Sequence, residues 1–284
     1  MPRLPVHSRL PGPRVVNAAI DRATGRDRLL PQIVTLTPTA YDTWKRCPRE
    51  YLLSHVLGVP TSDEIRPTDH GLLLHELLRV VHEQGSCRDL DHVRDVLAGH
   101  GVDDHHFGGM FARHARRCPT DAETGVHEVD LARFHRMPAP MFMVTARIDA
   151  IWVHDGFLDA RDYKSGARWY ERVADDPRAR IQAFVLDHYA RRKNLRLRLR
   201  YEHLAAEVDD DPEPFEPDDD DLVAIEEELR TMVAELWSVD EWNGVADAAV
   251  CSWCRFRSIC TDSAAVGEPG WPVLALAESV EGDA

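Results

Sequence analysis

The sequence predicts an α/β protein in which a mixed central sheet is flanked by helices, and three observations support this prediction. Apolar residues recur at helical spacing in three stretches, residues 71–84, 178–193 and 219–237. Two runs of β-forming residues, 141–153 and 157–164, flank Asp155-Gly156, a dipeptide typical of a tight hairpin turn. Leucine and arginine alternate over residues 195–200, which predicts a strand with one apolar and one basic face.

Length and composition are those of a globular protein. The 284 residues suffice for one or two domains with a sizeable core, and 44% are hydrophobic and 29% charged. No apolar run is long enough to span a bilayer, and the first residues lack the apolar segment of a secretory signal. We therefore expect a cytoplasmic protein, in which cysteines are better explained as metal ligands than as disulfides.

The first part of the chain is predicted to be a loose arm followed by helices. Residues 1–33 contain Pro and Arg without clear periodicity. Thr37-Pro38 is typical of a helix start, Pro48 must kink or divide that helix, and Gly58 ends it. Residues 89–117 are predicted to be helical, although His and Gly near 100–109 interrupt the pattern. We interpret residues 34–262 as one domain and 263–284 as an acidic tail.

The net charge of −15 is concentrated in one segment, because residues 207–228 hold 13 acids and no Lys or Arg. The remaining chain is close to neutral, with 34 basic and 36 acidic residues. We interpret the acidic run as a solvated loop leading into a helix; mimicry of DNA or binding of a partner is the alternative. Local basic clusters that can bind a polyanion remain at Arg113, Arg116, Arg117, Arg191, Arg192, Lys193, Arg196, Arg198 and Arg200.

The predicted hairpin carries a candidate catalytic group. Asp162 and Lys164 are two residues apart and therefore lie on one face of a strand, and Asp149 on the partner strand can approach Asp162. Two adjacent carboxylates are stable mainly when a cation lies between them, and oxygen ligands suit Mg²⁺ or Mn²⁺. Lys164 could position water or stabilise charge on a phosphate. The alternative is a surface ion pair, and Asp159 lies on the other face.

His75 is a second candidate metal ligand. It lies within the apolar helical sequence GLLLHELL at residues 71–78. A neutral imidazole could bind the same divalent ion. The alternative interpretation is a hydrogen-bonded histidine in a core.

Three closely spaced cysteines near the C-terminus, Cys251, Cys254 and Cys260, indicate a metal or cluster site. They need a fourth ligand, for which Cys47 is the best candidate and Cys87 and Cys118 are alternatives. Four thiolates hold either Zn²⁺ or an iron–sulfur cluster, and the spacing does not decide between them. A link from Cys47 to the C-terminal cysteines closes a loop of about 200 residues, which gains much from such a clip.

Together these motifs resemble the RecB-like branch of the PD-(D/E)XK nuclease superfamily, in particular its iron–sulfur members among CRISPR-adaptation nucleases and AddB-type domains. The order of the motifs is that of the family. They are the opening TPTAYDTWKRCPREY at 37–51, Gly71 with His75, ARID at 146–149, DYKSG at 162–166, and the C-terminal cysteines Cys251, Cys254 and Cys260. Two positions depart from the family pattern: Ala146 replaces a glycine, and Leu186 replaces a tyrosine, with Tyr189 three residues further on.

The resemblance implies a restriction-endonuclease-like core whose chain ends are joined by a four-cysteine cluster. It implies that His75, Asp149, Asp162 and the main-chain carbonyl of Tyr163 bind Mg²⁺ or Mn²⁺, and that Lys164 is catalytic together with the two aspartates. It also implies that a 4Fe–4S cluster is held by Cys47, Cys251, Cys254 and Cys260. Gln182, with Tyr189 as the nearby tyrosine, would contact DNA.

The resulting hypothesis is a metal-dependent DNA nuclease, an exonuclease on single strands or DNA ends, acting in repair, recombination or defence. The sequence has no Gly-rich phosphate loop, so we expect any unwinding to come from a helicase partner. The alternative is a non-catalytic, cluster-stabilised DNA-binding subunit of a helicase–nuclease complex, which the two departures motivate. A zinc-stapled module is the third interpretation.

Overall fold

The computed structural model describes residues 33–59, 69–84, 87–102, 104–119, 125–135, 141–166, 170–204, 211–239, 241–257, 259–260 and 262–264. Of the predicted arm (1–33) only Ile33 is described, and of the predicted tail (263–284) only residues 263–264. The rest of both predictions lies outside the described residues. Within the described chain, two compact units form, which we call the sheet unit (within residues 33–41 and 66–234) and the cysteine unit (within 42–65 and 235–264).

The described helices and strands follow one another in a mixed α/β order. The strands are β1 (Ile33–Leu36), β2 (Gly125–His135), β3 (Met141–His154), β4 (Phe157–Lys164) and β5 (Arg196–His203). The helices are α1 (Pro38–Arg46), α2 (Pro48–Tyr51) with a π-helical turn (Leu52–Val56), α3 (Asp69–Gln84), α4 (Leu90–Gly99), α5 (Asp104–Arg117), α6 (Pro177–Arg192), α7 (Asp219–Ser238) and α8 (Ala248–Ser252); a short 3-10 turn (Val173–Asp175) precedes α6.

Five strands of the described chain form one sheet around β3, the longest of them. Strand β2 pairs antiparallel with one edge of β3 along most of its length. The other edge is shared: β1 pairs in parallel with residues 141–144, and β4 pairs antiparallel with residues 150–154. Strand β5 extends the sheet by pairing in parallel with β4. This mixed sheet with surrounding helices confirms the predicted fold class.

The predicted hairpin and the long helices are confirmed. Asp155 and Gly156 have φ of +52° and +78°, the positive values of a type I′ turn, and they join β3 to β4. Helices α3, α6 and α7 match their predicted ranges within two residues at each end. Thr37 caps α1 through its hydroxyl, which accepts a hydrogen bond from the Ala40 amide at 3.0 Å. Pro48 divides the first helical stretch, as expected.

The helical stretch predicted over residues 89–117, with an interruption near 100–109, is two helices, α4 and α5, because the chain turns after α4 at Gly101, where φ is +66°. Strands β1 and β2 were not predicted. Strand β1 has only four residues, and β2 mixes charged and apolar residues without a clean alternation.

The core of the sheet unit forms where the alternating residues of β3 meet the helices. Every second residue of β3 from Phe142 to Trp152 is buried. Helices α3 and α4 contribute Leu and Val side chains, and α5 contributes Phe107 and Phe111, to a cluster that also contains Trp152 and Tyr163. In α6, residues 181–187 are all buried, which holds that helix firmly on the sheet. No described helix has the length and apolar character needed to cross a membrane.

Candidate active site and cysteine centre

A cleft lies where two strands of the sheet end opposite each other. Because β1 runs parallel to β3 and β4 runs antiparallel to it, the carboxyl ends of β1 and β4 point towards one another beside residues 145–149. The cleft has a volume of about 650 Å³. Its lining includes Thr37, Thr39, Asp130, Thr145, Ala146, Arg147, Asp162, Lys164, Arg178 and Gln182.

The structure brings Asp149 and Asp162 together, as the hairpin predicts. Ala150 is registered with Arg161, so one further step along the antiparallel pair sets Asp149 opposite Asp162. Asp149 Oδ2 accepts a hydrogen bond from the Tyr163 amide at 2.7 Å. Burial and the nearby charge of Asp162 raise the pKa of Asp149. This is the electrostatic condition in which a cation between the two carboxylates is favourable.

His75 joins this group from α3. Its Nδ1 lies 3.2 Å from Asp149 Oδ1, and its Nε2 lies 3.0 Å from the main-chain oxygen of Tyr163. Burial alone would lower the pKa of His75, but its hydrogen bond with Asp149 and the two aspartate charges raise it. The side chain that the sequence left between a core role and a site role therefore contacts two of the expected metal ligands.

Lys164 is held beside Asp162 at the end of β4. Its Nζ lies 2.7 Å from Asp162 Oδ1 and 4.2 Å from the centre of the Tyr201 ring. Tyr201 is fixed in turn, because its hydroxyl donates a hydrogen bond to Asp176 Oδ2 at 2.8 Å. Asp176 is the N-cap of α6. The ammonium group thus has one carboxylate partner and one aromatic face, and it still borders the cleft.

The two residues expected to contact DNA have different surroundings. Gln182 lines the cleft, and its Nε2 lies 3.5 Å from Asp162 Oδ2, while its Oε1 is buried without a hydrogen-bond partner. Tyr189 lies two helical turns further along α6 and donates its hydroxyl to the Ala132 carbonyl at 2.8 Å. Leu186, at the tyrosine position of the family pattern, is fully buried.

Sequence reasoning missed two basic residues of the cleft, Arg147 and Arg178. The sequence spacing could have identified both of them. Arg147 precedes Asp149 by two residues on β3 and therefore shares its face of the strand. Arg178 precedes Gln182 by one helical turn on α6 and so lies on the same side of that helix.

In the cysteine unit, Cys47, Cys251, Cys254 and Cys260 line one cavity. Cys47 is the N-cap of α2 and Cys251 lies on α8. Burial raises the pKa of the Cys254 thiol to about 12 and also raises that of Cys260. The structure therefore places Cys47 with the C-terminal cysteines, whereas the alternatives Cys87 and Cys118 belong to the sheet unit.

The segments around this cavity are tied together by polar and aromatic contacts. Arg49 Nε donates to the Trp242 carbonyl at 3.0 Å and lies 2.9 Å from Asp262 Oδ2. The indole of Trp242 stacks on the Tyr51 ring and meets Trp44 edge-on. The N-terminal helices and the C-terminal segment of this unit are thus joined by side chains as well as by the shared cavity.

The arginines of the basic face predicted on β5 have acidic partners, in the acidic run for two of them and on β4 for the third. Arg196 and Arg198 both contact Glu216, at 2.9 and 2.6 Å, and Arg200 contacts Asp159 at 3.1 Å. Phe215 pairs through its main chain with Leu199 of β5, so part of the acidic run lies along this strand. The solvated loop predicted for residues 207–228 is therefore packed against β5 near its middle, and the helix predicted after it is α7.

A family model for the PD-(D/E)XK nuclease superfamily matches residues 35–261. The chain belongs to the PD-(D/E)XK nuclease superfamily. Nucleases of this superfamily use divalent metals to cleave nucleic acid, so membership supports a nuclease. In this PD-(D/E)XK protein, Asp162 and Lys164 line the cleft, and His75 contacts Asp149, which lies opposite Asp162.

Two solved structures also match this PD-(D/E)XK protein. SSO0001 is 13% identical, with a TM-score of 0.35, and the match covers 87% of this chain and 94% of that one. A Eubacterium rectale protein named as a candidate exonuclease is 10% identical, with a TM-score of 0.43, and the match covers 84% and 89%. Among curated proteins, none matches this chain.

Proposed function

We propose that this protein is a Mg²⁺- or Mn²⁺-dependent deoxyribonuclease whose active site is the cleft at the ends of β1 and β4. The observation that supports it is the convergence, in a chain of this superfamily, of His75, Asp149, the Tyr163 carbonyl and the Asp162–Lys164 pair. Each of these groups was expected from the sequence motifs. The proposal assigns them roles.

The donor set fits a divalent cation. Asp149 and Asp162 supply carboxylate oxygens, Tyr163 supplies a main-chain oxygen and His75 supplies an imidazole nitrogen, which suits a hard metal with open positions. The unpaired buried oxygen of Gln182 is a further polar atom at the wall of the cleft. When bound, the metal would activate water and neutralise charge on the scissile phosphate.

Lys164 is the proposed electrostatic catalyst. Its ammonium is held between Asp162 and the Tyr201 ring. A preorganised cation beside a phosphate stabilises the negative charge that develops on the oxygens during hydrolysis. The same group could also orient the attacking water towards phosphorus.

We assign DNA positioning to the cleft walls. The exposed guanidinium of Arg147 and the half-buried one of Arg178 can contact phosphate oxygens, and the Gln182 amide can contact the strand beside the metal ligands. Arg147 and Arg178 also have acidic partners, Asp130 at 3.4 Å and Asp176 at 2.9 Å, but they line the cleft beside Asp162 and Lys164. A cleft of this volume suits a ligand of a few hundred daltons. For that reason we propose exonuclease action on single strands or frayed ends, in DNA repair, recombination or defence.

For the cysteine unit we propose a 4Fe–4S cluster held by Cys47, Cys251, Cys254 and Cys260. Buried thiols are costly to ionise, so a bound metal centre explains why four of them line one cavity. A single Zn²⁺ requires its four ligand atoms close together. Among the described residues, the group whose ligand atoms lie within 4.8 Å of one another is His82, Cys87, His114 and Cys118, not the four cysteines of this cavity. A larger cluster accommodates a wider thiolate spacing. The cluster would fasten the C-terminal segment to the start of α2.

The experiment is an anaerobic preparation assayed on end-labelled single- and double-stranded DNA with Mg²⁺ or Mn²⁺, with iron measured on the same sample. Lys164→Ala should lower cleavage by about 10²–10³-fold without unfolding the protein. The exposed Lys45→Ala is the matched control and should cleave normally. Unchanged cleavage by Lys164→Ala would remove Lys164 from the mechanism.

A non-catalytic DNA-binding subunit of a helicase–nuclease complex is the second candidate. It is favoured by Ala146, which lines the cleft where the family pattern has glycine, and by the buried Leu186. Binding of single-stranded DNA without turnover under any divalent ion would select this function. Stoichiometric zinc without iron at the four cysteines would select the zinc-stapled alternative.

A further inference from the structure

Four side chains of the sheet unit converge at a place remote in sequence from the three C-terminal cysteines. They are His82 in the last turn of α3, Cys87 before α4, His114 in the last turn of α5 and Cys118 directly after it. Their ligand atoms all lie within 4.8 Å of one another. His82 is half-buried and the other three are buried, so the group lies in the interior beside Trp152 and Tyr163.

The distances within this group match a tetrahedral metal site. The two Nε2 atoms of His82 and His114 are 3.0 Å apart, and Cys118 Sγ lies 3.5 Å from His82 Nε2. With Zn–N bonds of about 2.0–2.1 Å and Zn–S bonds of about 2.3 Å, a tetrahedral zinc keeps its ligand atoms roughly 3.3–3.8 Å apart. Small adjustments of side chains therefore convert the observed arrangement into a complete coordination shell.

The outward-facing nitrogens of both histidines already have the partners that metal-binding histidines use. His82 Nδ1 lies 2.7 Å from the Leu78 carbonyl oxygen, and His114 Nδ1 lies 2.7 Å from Glu202 Oε1. A carbonyl oxygen only accepts hydrogen bonds, so Nδ1 of His82 carries its proton. Glu202 is held by Arg161, whose Nη1 donates a hydrogen bond to Glu202 Oε2 at 3.1 Å. Such carboxylate and carbonyl contacts fix the ring orientation of a metal-bound histidine.

The Leu78 contact leaves Nε2 of His82 as an acceptor, and this nitrogen lies 3.0 Å from Nε2 of His114 and 3.5 Å from Sγ of Cys118. A single cation between them could bind all three atoms. Two thiols complete the same space, and soft thiolates with imidazoles are the donor set of structural zinc.

We propose that His82, Cys87, His114 and Cys118 form a structural Zn²⁺ site within the sheet unit, independent of the four-cysteine centre. The zinc would join the end of α3 to the end of α5. This proposal goes beyond the proposed nuclease function. If the protein binds no zinc here, the assignment of His75, Asp149 and Asp162 as ligands of the catalytic metal is unaffected.

The zinc site would also help to position two of the proposed ligands of the catalytic metal, His75 and the Tyr163 carbonyl. Helix α3 carries both His75 and His82, seven residues and about two turns apart. Tyr163, whose carbonyl oxygen contacts His75, places its ring edge-on to His114 at 5.3 Å between centres. A zinc that fixes His82 and His114 therefore fixes the elements that position His75 and the Tyr163 carbonyl.

The first experiment measures zinc in the full-length protein purified without added metal. One zinc equivalent is expected, and X-ray absorption at the zinc edge should show two nitrogen and two sulfur ligands. Exchange for Co²⁺ should give tetrahedral d–d bands with thiolate charge transfer. Protein that contains no zinc and takes up none on titration, or a shell of four sulfurs alone, would overturn the proposal. A mass lower by two hydrogens with a Cys87–Cys118 disulfide would also overturn it.

Variants assign the metal to its site. Cys118→Ser should lose the zinc equivalent and keep its iron, whereas Cys254→Ser should lose its iron and keep the zinc. Retention of zinc by Cys118→Ser would refute the assignment.

Should that variant fail to fold, Glu202→Gln tests the same site with all four ligands in place, and its zinc should bind about 10–100-fold more weakly. Unchanged zinc affinity in Glu202→Gln would argue against His114 as a ligand. His100→Gln, an exposed histidine near the end of α4, is the matched control and should keep wild-type zinc affinity.

Discussion

Tyr201 offers a way to separate the support of Lys164 from the stability of the sheet unit. Its ring lies under the Lys164 ammonium and its hydroxyl donates to the buried carboxylate of Asp176. Burial and the charges of Asp162 and Asp176 raise the pKa of Tyr201, so the hydroxyl remains a donor at any practical pH. Tyr201→Phe therefore removes one hydrogen bond to a charged group and keeps the aromatic face.

The structure sets the expected magnitudes. Asp176 is fully buried and keeps its hydrogen bonds from Arg178 in the variant, so the lost bond should cost about 1.5–3 kcal/mol of unfolding free energy. That corresponds to a fall in melting temperature of roughly 3–12 °C. Cleavage by Tyr201→Phe should stay within about twofold of wild type. Tyr201→Leu also removes the cation–π contact, worth about 1 kcal/mol, and should cleave about fivefold more slowly.

The assay combines thermal unfolding with single-turnover cleavage of single-stranded DNA for wild type, Tyr201→Phe, Tyr201→Leu and Lys164→Ala. Tyr201→Phe with an unchanged melting temperature and a cleavage defect as large as that of Lys164→Ala would refute the reasoning. That result would mean that the hydroxyl acts in the reaction and that its bond to Asp176 is incidental.

Three further predictions concern charge and the cysteine unit. Arg147→Ala should raise KM several-fold at unchanged kcat and reduce the salt slope of DNA binding by about one, measured by fluorescence anisotropy over a salt series; an unchanged slope would exclude a phosphate contact. Glu216→Gln should strengthen DNA binding several-fold at low salt, because the substitution releases Arg196 and Arg198 from their ion pairs with Glu216. The control Glu213→Gln, at an exposed position, should bind DNA as the wild type does. Equal affinities of Glu216→Gln and wild type in gel shifts would contradict this prediction. Arg49→Ala should lower iron retention in air, because it removes the contacts to Trp242 and Asp262, and iron loss at the wild-type rate by absorbance would count against that contact network.

Local patterns predicted much of the site because its residues lie on one hairpin. The Asp155-Gly156 turn fixes the register of β3 and β4, and that register alone brings Asp149 opposite Asp162. Period-two spacing then places Lys164 with Asp162. His75 was a candidate from its own helix, where a role in the core was the alternative, and the resemblance supported the role as a metal ligand.

What the sequence did not reveal depends on contacts between distant segments. His82 and Cys87 end one helix and precede another, and His114 and Cys118 are one turn apart, so each pair is unremarkable in its own helix. Only the tertiary structure, which brings His82 within 3.0 Å of His114, makes them a group. Strand β1 was missed for a similar reason, since four residues carry little periodicity and its pairing with β3 determines its structure.

The pairing of Phe215 with Leu199 has a consequence for self-association. Strand β5 is the last strand of the sheet path in the described chain, and an unpaired last strand is a template for intermolecular β-pairing. Phe215 both donates to and accepts from Leu199 at 2.9 Å, so the middle of this strand has its main-chain groups satisfied within the same molecule. The neighbouring run of Asp and Glu adds like-charge repulsion between copies, which discourages edge-to-edge aggregation at this rim.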